Sequence, residues 1–109
     1  MHTRRESKMA VIHQPRVAWD GARAIVRAAG SAHYEGFANH VLQQLGSGVY
    51  GDFADTRQRL LTAYVETGGD RYVADVEAGK WRVRLEDLLR ERPELSVVIL
   101  QLTSEAFEL

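Results

Sequence analysis

Apolar residues recur along this chain at intervals of three and four, in segments separated by glycine or proline. The breaks fall at Gly30-Ser31, Gly46-Ser47-Gly48, Gly68-Gly69 and Pro93. Segments of this length and period predict amphipathic helices. From Val17 to Ala29, a turn of 100° per residue gathers Ala18, Trp19, Ala22, Ile25, Val26 and Ala29 on one face. Asp20, Arg23 and Arg27 fall on the other. The segment is rich in alanine, the strongest helix former. From Ala32 to Leu45 the apolar face is Tyr34, Phe37, Ala38, Val41, Leu42 and Leu45. In one unbroken helix these two faces would point in nearly opposite directions. A break near Gly30 is therefore expected, with Ser31 as the N-cap.

"GSGVYGD" reads as a loop, and Asp52 as the cap of a third helix from Phe53 to Thr67. That helix is expected to bury Phe53, Leu60, Ala63 and Tyr64, with Leu61 and Val65 on a flank, and to end at a left-handed Gly68. Asp70 is placed to cap a fourth helix over Arg71–Arg92. Its core stripe is Ala74, Ala78, Trp81, Leu85, Leu88 and Leu89. Arg82, Glu86 and Arg90 stand four residues apart on another face, a pattern that supports helix and solubility by only ~0.2–0.5 kcal/mol per pair. Pro93 stops this helix, because it lacks an amide proton and restricts the residue before it. In the last segment, Leu95, Val98, Ile99 and Leu102 have helical spacing, while the β-branched residues also suit a strand; helix is favoured.

The fourth segment also carries a second apolar stripe. Tyr72, Val76 and Val83, with Gly79 beside them, lie opposite Trp81. A helix with two apolar faces is either sandwiched inside its domain or packed against another subunit. Tyr72, Val76 and Val83, edged by Arg82, Glu86 and Arg90, are thus the candidate contact residues for a partner or a second copy.

Composition changes this picture mainly by exclusion. With 109 residues the chain is sufficient for one domain with a real core. It has no cysteine, which removes disulfides, thiolate metal sites and cysteine nucleophiles and fits a reducing compartment. The longest aliphatic run, Val97 to Leu100, is far short of the ~18 residues of a membrane span. "MHTRRESKMAV" has no hydrophobic run of the kind a secretory signal needs. Residues 1–15 read as a flexible tail, with Met9 an alternative start, and the expected location is the cytoplasm. The net charge of -1 is unevenly spread: +4 over residues 1–30, -3 over 31–70 and -2 over 71–109. A positive amino end and a negative remainder suit docking between subunits.

Candidate chemistry is sparse. His33 and His40 are seven residues apart, wider than the four-residue spacing of helical metal pairs. Asp52 with Asp55, and Glu86 with Asp87, read as a helix start and a charged helix face rather than as acid–base pairs. "GSGVYG" lacks the lysine and the Ser/Thr of a phosphate loop. "IVRAAGSAHYEGFANH" has a likeness to a helix-turn-helix. Its would-be reading helix, Ala32 to His40, carries Glu35 and no arginine or lysine, whereas phosphate neutralisation supplies most non-specific DNA affinity. No metal and no cofactor are expected.

"RQRLLTAYVETGGDRYVADVEAG" followed by "KWRVRLEDLLRERPEL" resembles the carboxy-terminal half of small helical proteins of unknown function from actinobacteria, most specifically from Trp81 to Leu95. The resemblance implies an all-helical fold and, in some settings, an adaptor role in bacterial conflict or signalling. The chain departs from that pattern at Arg23 and Arg27, which interrupt a longer apolar stretch.

Together these features predict an all-α protein. A single bundle of four to five helices spans residues 16–109, behind the tail. The expected function is a non-enzymatic protein-interaction or self-assembly module, working as a homo-oligomer or with a protein partner and away from membranes. A small helix-turn-helix regulator of DNA is the alternative.

Overall fold

Alanine decides the architecture. A computed structural model describes residues 13–109. Its first helix, α1 (Gln14–Ala29), buries Val17, Ala18, Gly21, Ala22, Ala24, Ile25, Ala28 and Ala29. Side chains this small let neighbouring helices approach closely, and α1 packs against α4 (Tyr72–Glu91) and α5 (Ser96–Phe107) as the central element. The closest approach is at Gly21. A Cβ there would lie 2.8 Å from Ile99 Cγ2 on α5 and 3.1 Å from Leu85 Cδ1 on α4. α2 (Tyr34–Leu45) and α3 (Ser47–Thr67) pack on each other and close the remaining side of the core. Trp81, Phe37, Phe53, Leu85, Leu89 and Ile99 are the large side chains sealed within it. Each stabilises the fold by roughly 1.5–3 kcal/mol through burial. The fold is the expected all-α bundle, with five α-helices and no strand among the described residues.

Several boundaries differ from the sequence expectation. Gln14 and Pro15, assigned to the tail, belong to α1, where Pro15 occupies the first turn and loses no helical hydrogen bond. The rest of the expected tail, with Met9, lies outside the described residues apart from His13. Ser31 does not cap α2. Its Oγ accepts the His33 amide at 2.9 Å within the turn, and α2 begins at Tyr34. The end of α1 is closed instead from a distance: Arg57 Nη1 donates to the carbonyls of Ala29 (2.8 Å) and Ser31 (3.0 Å).

The clearest correction is "GSGVYGD". It is helical, and only Gly46 (φ 93°) separates α2 from α3. Glycine costs about 1 kcal/mol in a helix interior. Val49 and Tyr50 pack against the core and hold the segment in line with Phe53 despite it. Asp52 is therefore inside α3, not capping it, and pairs with Arg84 at 3.3 Å.

The later boundaries follow the sequence. Gly68 ends α3 in the left-handed conformation (φ 73°), with its amide on the Tyr64 carbonyl at 2.9 Å. Asp70 Oδ1 accepts the Tyr72 amide at 2.9 Å and so covers the start of α4. After Pro93 a short 3₁₀ turn, Pro93–Leu95, leads into α5, so the last segment is helix and not strand.

Candidate functional site

Where α3 and α4 run past α1, they leave the core behind. From Tyr64 to Val76 no residue is buried, although this hairpin tip contains Tyr64, Val65, Tyr72, Val73 and Val76. Tyr64 is 65% exposed, which corrects its assignment to the core stripe of α3, and Val65 is 82% exposed. α1 and α5 have 16 and 12 residues, against 21 and 20 in α3 and α4, and none of the residues of the α3–α4 tip from Tyr64 to Val76 is buried. The angle where the tip meets α1 forms a groove of about 1160 Å³. Trp19, Val26, Leu60, Leu61, Tyr64 and Phe107 line it, with Arg23 and Arg27 on the α1 wall and, opposite, Asp70 and Arg71 in the turn before α4 and Asp75 in its first turn.

The two α1 arginines are held by stacking. Arg23 lies over the Trp19 ring at 4.8 Å, and Arg27 over Phe107 at 5.7 Å. Arg27 Nε also donates to the Ala106 carbonyl at 3.2 Å. Neither arginine has a carboxylate within ion-pair distance among the described residues.

The contact residues read from the sequence lie on the solvent side of α4. Tyr72, Val76 and Val83 are exposed, and a Cβ at Gly79 would meet nothing within 4 Å. The second apolar stripe of α4 is thus not sandwiched within the domain. Arg82 and Glu86 pair at 3.0 Å as their spacing suggests. Arg90 turns to Asp87 at 2.7 Å, since the Glu86 carboxylate is engaged by Arg82. Only Tyr72 and Val76 fall within the unburied run at the tip; Val83 sits two turns further along.

Sequence reasoning missed the buried polar cluster that joins α3 to α4. Glu77 is 2% exposed. Arg59 grips both its oxygens, Nε to Oε2 and Nη2 to Oε1, each at 2.9 Å, and Lys80 Nζ reaches Oε2 at 3.3 Å. Thr56 Oγ1 lies 3.3 Å from Glu77 Oε1 and 3.0 Å from the Asp52 carbonyl, and accepts the Trp81 indole N–H at 2.8 Å. Burial alone raises the Glu77 pKa. The hydrogen bonds and charges of Arg59 and Lys80 outweigh burial and hold it below its ordinary value. The helical phase of Glu77, one residue short of the Ala78 stripe, was the available signal.

His33 and His40 do not meet. His40 Nδ1 instead pairs with Glu105 on α5, at 2.7 Å from Oε2. Among the described residues no group of three or more His, Asp or Glu is placed to hold a metal, and no helix is long and apolar enough to cross a membrane. α2 presents Glu35, Asn39, His40, Gln43 and Gln44 to solvent and carries no lysine or arginine. No protein-family model matches the chain, and neither a curated protein nor a solved structure is significantly similar to it.

Proposed function

We propose that the protein is a non-enzymatic interaction module that assembles through the apolar hairpin tip and the groove beside it. The observation that carries this reading is the run from Tyr64 to Val76, where large apolar side chains stand in solvent on regular helices. Apolar side chains clustered in this way and rimmed by charge mark a surface that another protein covers. The outer α4 stripe, Tyr72, Val76 and Val83, extends the same surface. The adaptor role implied by the resemblance to actinobacterial helical proteins would be this property placed in a pathway.

DNA reading is the weaker proposal, because a helix without lysine or arginine offers phosphates nothing to bind. A binding assay with random duplex at low salt checks it, and absence of binding there removes it.

The test of the leading reading is molar mass by light scattering over a concentration series, with Tyr64→Glu/Val65→Glu and Val76→Glu/Val83→Glu beside the parent. An assembly above 12.3 kDa that dissociates in either double variant, with helicity retained, supports it. A mass of 12.3 kDa throughout restricts it to a foreign partner. Unfolding of both variants would make these residues part of the core, and the reading would fail.

A further inference from the structure

We infer that the occupant of the groove is a second copy of this chain, arranged about a twofold axis so that each copy's α3–α4 tip lies in the other's groove. This rests on the self-assembly form of the proposed function. Two observations select this occupant and this register.

The first is charge. The α1 wall of the groove carries Arg23 and Arg27, one turn apart, and neither is ion-paired among the described residues. The tip carries Glu66, Asp70 and Asp75 against the single Arg71, also without ion pairs among the described residues. Within one copy Asp70 and Asp75 line the same groove as Arg23 and Arg27 without pairing with them, and Glu66 stands on the tip outside that lining. A second tip entering the groove brings acids to the arginines. The twofold axis repeats the contact in reverse, so one surface is complementary to itself and the assembly closes at two. The stacked positions of Arg23 over Trp19 and Arg27 over Phe107 fix the cations in advance, which lowers the ordering cost of pairing them.

The second is area. Trp19, Tyr64, Tyr72 and Phe107 are 37%, 65%, 69% and 52% exposed. With aromatic side chains of ~150–250 Å² each, they and the neighbouring Leu61 and Val65 offer on the order of 600 Å² of apolar surface. Adding the polar rim brings this close to the ~800 Å² that each partner contributes to an interface of standard size. Of the outer α4 stripe only Tyr72, at the tip, belongs to this contact; Val83, 48% exposed and two turns beyond Val76, lies outside it.

The experiment is a charge exchange read by light scattering on the full chain, with circular dichroism to confirm helicity. The parent is expected to reach twice 12.3 kDa. Arg23→Glu/Arg27→Glu makes both surfaces negative, and Glu66→Lys/Asp75→Lys makes both positive. Each is expected to weaken dimerisation by about tenfold or more, since like charges are juxtaposed. Mixed in equal amounts, the two variants are expected to restore the dimer, because both contacts are then complementary. Arg27 also bonds Ala106, so Arg23→Glu alone serves if the double variant loses helicity.

A dimer that survives these variants and is broken by Val83→Glu overturns this register while leaving self-assembly standing. Variants that dissociate but are not restored by mixing overturn it too. A parent that stays at 12.3 kDa at every concentration ends both this inference and the self-assembly form of the function.

Discussion

The indole N–H of Trp81 donates to the hydroxyl of Thr56 at 2.8 Å, and both side chains are fully buried. The bond ties the largest core residue of α4 to the middle of α3. It also lies next to the Glu77 carboxylate, so an apolar core and a charged cluster share one hydroxyl. That hydroxyl has a single proton, which it gives either to the Asp52 carbonyl or to Glu77.

Thr56→Val keeps the shape and removes the acceptor. The buried indole N–H is then unsatisfied, at a cost of about 1–3 kcal/mol. Urea denaturation followed by tryptophan fluorescence should show a lowered midpoint with an unchanged slope. Val76→Thr, an exposed substitution of similar size on α4, should change stability by less than about 0.5 kcal/mol.

Glu77 links stability to acid. Its pKa in the folded state is below the ordinary 4.5, so it adds stability that is fully present above that value. The contribution is lost as pH falls below 4.5 and through the folded value, where the native state must take up a proton. Glu77→Gln should lower stability at pH 7 by about 2 kcal/mol through loss of the Arg59 and Lys80 pairing. It should also flatten the stability profile below pH 4.5. Part of the slope will remain, because Glu94 is also depressed, by its own backbone amide and by Arg92. Denaturation midpoints from pH 3 to 7 for both proteins provide the check.

Two glycines should respond in opposite directions. Gly21→Ala drives a Cβ to 2.8 Å from Ile99 and 3.1 Å from Leu85, both held in the core. Overpacking of this kind costs about 1–3 kcal/mol and outweighs the helical preference for alanine. Gly36→Ala, at an exposed position of α2 with nothing within 4 Å, should gain about 0.5–1 kcal/mol. Thermal melts of the two variants distinguish close helix packing from propensity.

Gly68→Ala should destabilise by about 1 kcal/mol, since its φ of 73° is unfavourable for a residue with a Cβ. Gly68→Asn should recover much of the loss, because asparagine tolerates that region better. Calorimetry on the pair measures the turn itself.

The helices were legible because their apolar stripes are periodic and their stops are chemical: Gly30, Gly68 and Pro93 each end a helix in the structure. "GSGVYGD" was misread because local propensity pointed to a loop, and only packing of Val49 and Tyr50 on the core overrides it. Tyr64 was misplaced for a related reason. A helical wheel gives the direction of a side chain but not how far the neighbouring helices extend, so it could not show that the core ends at Ala63. The outer α4 stripe was legible as a second apolar face, and its exposure needed the fold. The groove was not legible, because it joins residues of α1, α3, α4 and, through Phe107, α5, which are distant in sequence.

The left-handed turn at Gly68 and Gly69 also marks where the molecule divides. It is exposed, and it is the only covalent link between the first three helices and the last two. Yet α1 packs mainly on α4 and α5, across that link. Each half would therefore expose the surface that the other covers. Expressed as two separate polypeptides, 1–68 and 69–109 should complement one another, with α1 as the clasp that rejoins a split chain.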